Sequence, residues 1–197
     1  MSPSFEIFTQ RLHLRLIQPD YADELSTTVS QSKSLHQWID WCEPSFTHKD
    51  AEQFILATRL NWVKGTAYGF GVFRKSDDKL IGMVAINELY HTFNMASLGY
   101  WVSDAYQGEG YAKEAFNALV EFCFSKLNLT RLEVVCDPDN QPSLKLATAC
   151  GAEYEVTAKI AICLTENPEQ EWSFLLSLNN HPPCKSRVKN SDLKNAP

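Results

Sequence analysis

None of the six cysteines forms a CxxC pair, and no histidine stands at ligand spacing beside one. The sequence therefore spells out neither a disulfide framework nor a zinc site, and reduced cysteines and no metal are expected. Basic residues are in deficit, 18 Lys and Arg against 24 Asp and Glu, for a net charge of −6. That balance speaks against gripping nucleic acid by counterion release and gives no general attraction to anionic membranes. A small basic groove for a phosphorylated ligand stays open, because net charge does not fix the local field. No apolar run approaches the ~20 residues needed to cross a bilayer. The opening residues MSPSFEIFTQ carry no basic stretch followed by an apolar core, so no secretory signal is expected and the protein is expected to be cytoplasmic. Repeats and internal linkers are also missing.

What is present is a globular composition, 44% hydrophobic and 21% charged over 197 residues, enough for one domain with a real core. "RLHLRLI" alternates with period two and predicts a half-buried strand over 11–17. Asp20 is the expected N-cap of a helix over about 21–32. In "LHQWIDWCEP", Trp38 and Trp41 fall three apart, on one helical face, and either pack in the core or line a pocket. Asp40 and Glu43 beside them either bind a substrate amine or form a solvated face. "THKD" resembles a capping box for a helix that buries Ala51, Phe54, Ile55, Thr58 and Trp62 and stops at Gly65.

The period then changes. "AYGFGVFRK" and "LIGMVAINE", joined by the turn "SDDK", and then "ASLGYWVS" predict an antiparallel meander. "KEAFNALVEFCFSKLN" carries an apolar face of Phe116, Leu119, Val120, Cys123 and Leu127, a helix laid on a sheet. "RLEVVCD" reads as a buried strand. "DNQPSLKLATACG" reads as a helix capped by Asn140 and stopped at Gly151. Strands near 153–164 and 170–178 around "TENPEQ" complete the order β-α-α-α-βββ-α-β-α-ββ, one α+β domain over 1–180. The remainder, 181–197, is a polar tail.

Between the meander and the next helix lies "DAYQGEGYAKEA". A strand, a glycine-bearing turn and a helix leave backbone N–H groups free at the positive end of a helix dipole, where an anion can sit. Gly108 and Gly110 would let phosphate oxygens approach the chain. This is neither a dinucleotide fold's loop, since it follows a meander, nor a Walker loop, since no Gly-Lys-Ser/Thr occurs. A second polar helix start, "DPDNQPS", follows the very next strand.

Through Gln107, Gly110 and Ala112, this stretch is similar to the Q/R-x-x-G-x-G/A signature of the GCN5-related N-acetyltransferase (GNAT) superfamily. "GYWVSDAYQGEGYAKEA" with "DNQPSLKLATACGA", and the early "RLHLRLI" and "WIDW", look most like the ribosomal-protein N-terminal acetyltransferase branch, over about residues 8–178. The resemblance implies a mixed, mostly antiparallel sheet with helices on both faces. It implies acetyl-CoA as cosubstrate, its pyrophosphate held by the backbone of Gln107, Gly108, Glu109, Gly110, Tyr111 and Ala112. Pantetheine would pair with Tyr100, Trp101 and Val102 on a strand that splays from its neighbour. Asn140 would lie near that arm and Ser143 near the sulfur, as proton donor to the leaving thiolate.

Three departures accompany the resemblance. The Gly-Phe usual after the helix that Asn140 caps is Gly151-Ala152 here. A tyrosine that many superfamily members carry is replaced by Ala147. The branch's water-activating carboxylate falls at Ile162. Glu88 is the first candidate base in its stead and His91 the second. The acceptor is expected to be a protein N-terminal amine, with a polyamine- or aminoglycoside-like amine as the alternative. A CoA-binding sensor without turnover is the competing class. Monomer and homodimer are both open.

Overall fold

The computed structural model describes residues 2–159 and 172–179. Ile162, Cys163, Cys184, the "TENPEQ" turn and the 181–197 tail lie outside the described residues. A single eight-stranded sheet runs in the order β1-β2-β3-β4-β5-β6-β8-β7. Its strands are β1 (Glu6–Phe8), β2 (Leu12–Arg15), β3 (Tyr68–Arg74), β4 (Lys79–Tyr90), β5 (Met95–Val102), β6 (Arg131–Cys136), β7 (Glu153–Lys159) and β8 (Trp172–Asn179). Every pairing is antiparallel except β5 with β6. That parallel pair needs a crossover, which helix α4 (Tyr111–Ser125) supplies.

Helices cover both faces. On one, Phe116, Leu119 and Cys123 of α4 are fully buried against Leu12, Phe70, Val84 and Leu132. Each large apolar side chain so buried contributes about 1.5–3 kcal/mol. On the other, α1 (Ala22–Gln31), α2 (Lys33–Trp38) and α3 (His48–Lys64) enclose a second core. It is built from Leu25, Val29, Ile55, Phe73, Leu80 and Met83. Strand β4 feeds both cores, Ile81, Val84 and Ile86 to the first and Leu80 and Met83 to the second. Its alternation is shifted by a bulge at Ile81, which is left over between the Phe73–Leu80 and Val72–Gly82 pairs.

Local chemistry sets the helix ends. Thr47 and Asp50 form the expected reciprocal capping box at the start of α3, and Gly65 ends it in the left-handed region at φ 72°. Asn140 caps α5 (Gln141–Ala149) by accepting from the Ser143 N–H at 3.1 Å. The expected "SDDK" turn joins β3 to β4, with Asp78 at φ 56°.

Four local expectations need correction. Asp20 does not cap α1: Pro19–Tyr21 form a 3-10 turn, and Tyr21 holds the cap position without a side-chain hydrogen bond. Trp38 and Trp41 do not share a helical face, because α2 ends at Trp38 and Ile39 is extended. Strand β6 is half-buried, Leu132 and Val134 inward and Val135 45% exposed. A short N-terminal strand, β1, precedes the expected first one and pairs Ile7 with Leu14.

Candidate active site

The parallel β5–β6 pairing begins at Met95–Arg131 and stops at Leu98–Val134, although both strands continue. Beyond that point β5 still pairs with β4 through Val102, so β6 is the strand that leaves. A cavity of about 540 Å³ occupies the opening. Its walls are the Leu98–Val102 end of β5, the Val134–Cys136 end of β6, the loop before α4, the start of α5, and Ser34, Leu35, Trp38 and Ile39.

The loop offers donors. Gln107 N–H reaches Asp104 O at 3.4 Å and Glu114 N–H reaches Gly110 O at 3.1 Å. Among the described residues, no protein acceptor pairs with the N–H groups from Gly108 to Lys113 between them. Gly110 holds the N-cap position without a side-chain cap. Gly108 and Gly110 take φ of 79° and 78°, and a Cβ at Gly108 would meet nothing within 4 Å. Six consecutive amides without a protein partner among the described residues, at a dipole's positive end and beside Lys113 in the cavity wall, form a cradle that can take a diphosphate.

Distant residues lock that loop in place. Arg11, at the turn between β1 and β2, donates from Nε to Glu114 Oε2 at 2.6 Å and from Nη1 to Glu109 O at 2.9 Å. Its guanidinium also covers the Tyr111 ring at 4.3 Å. Burial raises the Glu114 pKa, but hydrogen bonds from Thr9 and Arg11 outweigh it, so the carboxyl titrates below its usual range. On the other side, Gln107 Nε2 donates to Val102 O and to Ser34 Oγ, each at 2.9 Å. The Gln107 side chain is thus a tether between β5 and α2.

At the far end of the cavity, Tyr100 reaches from β5 to α5. Its hydroxyl lies 2.9 Å from both Ser143 O and Ser143 Oγ. Burial pushes the phenol up to about 12, only partly offset by Ser143, so it keeps its proton at neutral pH. Cys136 also meets Ser143, and burial raises its thiol, which stays protonated. Ala147 is fully buried in the core, so the hydroxyls at this end come from Ser143 and from Tyr100 on the facing strand.

A second cavity, about 380 Å³, lies under α3 and shares Ile39, Gly99, Tyr100 and Trp101 with the first. Trp41 belongs to it, stacked on Phe54 at 4.4 Å, whereas Trp38 lines the first cavity. Met83, Thr58, Asn61 and Asn87 complete its character: apolar, with neutral polar groups and no charged side chain among the described residues.

The candidates Tyr100, Trp101, Val102, Gln107, Gly108, Gly110, Tyr111, Ala112, Asn140 and Ser143 all line the first cavity. Glu109 is in the loop, and its carbonyl is taken by Arg11. Glu88 and His91 are not brought there. Glu88 is exposed and accepts from the Tyr90 hydroxyl, and His91 lies in an exposed 3-10 turn. Neither lines either cavity. Arg11, Asn61, Asn87 and Cys136 have no place in the sequence reading of the site. Arg11 and Glu114 are 103 residues apart, and no local pattern announces their pairing.

The acetyltransferase (GNAT) domain family matches residues 11–153. A Vibrio cholerae structure, assigned provisionally as a ribosomal-protein-serine acetyltransferase, is 54% identical with a TM-score of 0.79, covering 91% of this chain and 99% of that one. The ribosomal-protein-serine acetyltransferase of Escherichia coli is 24% identical over 159 residues, 80% of this chain and 88% of that protein. The microcin C7 self-immunity acetyltransferase, solved with acetyl-CoA and AMP, is 26% identical with a TM-score of 0.76, covering 87% of this chain and 93% of that one.

Proposed function

This chain belongs to the GNAT acetyltransferase family, and we propose that it acetylates the α-amine of a polypeptide, of the ribosomal-protein N-terminal type, with acetyl-CoA as donor. The observation that carries the reading is the pair of cavities meeting at Gly99–Trp101, one lined by unpaired amides and the other neutral and apolar. The donor supplies an activated thioester. The amides of Gly108–Lys113 would hold its diphosphate, and the unpaired edge of β5 past Leu98 would take the pantetheine arm.

Ser143 would protonate the departing sulfur. Tyr100 is equidistant from Ser143 O and Oγ, so turning its proton from the carbonyl to Oγ frees the seryl hydrogen to be given away. A backbone N–H of β5 would stabilise charge on the thioester oxygen.

The acceptor must arrive neutral. A free α-amine has a pKa of about 7.7–8.0. Burial in the second cavity, which offers no described carboxylate, disfavours the ammonium form and lowers that value. Desolvation would therefore do what a dedicated base does elsewhere. A polyamine or aminoglycoside finds no counter-charge on those walls, which favours the peptide reading over the small-molecule one. The test is the pH profile. For peptide acceptors kcat/KM should rise with the titration of the peptide's own amine, and Glu88→Gln should leave the profile unmoved. A profile shifted by Glu88→Gln restores a catalytic carboxylate.

A further inference from the structure

The strand β4 pairs regularly with β5 from Gly82–Val102 to Ile86–Leu98, then resumes at Glu88–Ser97. Asn87 is the extra residue, a β-bulge beside the point where β5 and β6 part. A bulge re-aims its side chain, and that of Asn87 lies over Gly99: a Cβ at Gly99 would stand 2.7 Å from Asn87 Nδ2. Gly99 belongs to both cavities, so the carboxamide covers the boundary between them from the neutral side.

Among the described residues, no hydrogen bond holds that carboxamide, and none holds the carboxamide of Asn61, which lines the same cavity from α3. Asn87 is exposed at the cavity mouth and Asn61 is half-buried, so both carboxamides are open to an incoming ligand and neither is spent on a described protein partner. Each offers one acceptor and two donors and no charge. That inventory complements a peptide unit, which presents one donor and one acceptor, and gives a cation nothing it lacks in water.

We propose that Asn87 is the acceptor-positioning residue, hydrogen-bonding the first residue of the incoming polypeptide at the Gly99 boundary, with Asn61 reading the same residue from the helix side. This rests on the peptide-acetyltransferase reading. Selectivity would come from neutrality: a neutral first residue enters, and a cationic side chain is refused because it would be desolvated without a partner.

Steady-state kinetics of the full chain with acetyl-CoA test it, using a synthetic peptide with an N-terminal serine and, separately, spermidine. Asn87→Ala should raise the peptide KM by about tenfold, the upper scale of one neutral hydrogen bond, with acetyl-CoA KM and CoA affinity by calorimetry unchanged. Asn87→Asp should raise the spermidine-to-peptide ratio of kcat/KM. If the wild type acetylates the peptide and Asn87→Ala leaves its KM unaltered, or moves donor and acceptor KM together, the assignment of Asn87 is overturned and the peptide reading survives. If the wild type acetylates spermidine and not the peptide, or neither, both are overturned.

Discussion

The Tyr100 hydroxyl and Ser143 are joined across the opening between β5 and α5, with the phenol 2.9 Å from both the carbonyl and the hydroxyl of the serine. In the proposed mechanism the two act as one proton-handling unit, so their substitutions should not add. Ser143→Ala is expected to lower kcat by about a hundredfold, the low end of general-acid contributions, with acetyl-CoA KM little changed. Tyr100→Phe should cost less. The double variant should be no slower than Ser143→Ala alone, because both remove one function. Multiplying defects in the double-mutant cycle would separate the two residues.

Gly108 and Gly110 share a left-handed backbone but differ in surroundings. A Cβ at Gly108 meets open space, whereas one at Gly110 comes 3.5 Å from Arg11 Nη2. Gly108→Ala therefore bears mainly the ~1–2 kcal/mol conformational cost of a left-handed residue. Gly110→Val adds branching at the position that opens α4, and should raise the CoA Kd by about a hundredfold, the scale of losing two hydrogen bonds to a charged group. Calorimetry gives the affinity, and circular dichroism should show the fold retained.

Arg11 ties the first strands to the loop through Glu114, Glu109 O and the Tyr111 ring. Arg11→Ala should raise the acetyl-CoA KM by about three- to tenfold, the scale of a lost hydrogen bond, and leave the acceptor KM alone. Thermal melts should show the domain still folded. An unchanged acetyl-CoA KM would mean that the loop keeps its shape without this tether.

Much of this site is legible from sequence because it is local. The capping residues Thr47, Asp50 and Asn140, the turn at Asp78 and the glycines of the loop are each read from a few neighbours, and their geometry depends on little else. Trp38 and Trp41 defeat the same approach. Their spacing is helical, but Ile39 is extended and sends them to separate cavities, a choice made by packing against Phe54 and Trp101. Asn87 is invisible for a similar reason. A bulge is a mismatch between two strands, β4 and β5, and neither strand's pattern alone contains it. Glu88, one residue on, carries the charge that draws attention, and it lines neither cavity.

The far edge of the sheet has its own pH signature. Glu155 on β7 receives Arg131 of β6 at 2.5 Å and Ser177 of the intervening β8 at 2.5 Å. The Arg131 hydrogen bond, opposed by burial and aided by Ser177, lowers its pKa from 4.5 to about 2. A carboxyl whose folded pKa is depressed stabilises fully above its unfolded value and loses that contribution as pH falls toward the folded one. Glu155→Gln should therefore lower Tm at neutral pH, and its melting curve should converge on that of the wild type between pH 4.5 and about 2. A Tm deficit constant across that window would contradict the linkage.

In the proposed reaction, two cavities meeting at Gly99 bring a CoA thioester to a neutral polypeptide amine. Mass spectrometry of a serine-initiated peptide incubated with the full chain and acetyl-CoA tests it most directly. A single acetyl group is expected, localised by fragmentation to the α-amine, on that peptide and not on one blocked at its N-terminus. Acetylation of lysine side chains or of spermidine in preference to the α-amine would contradict it.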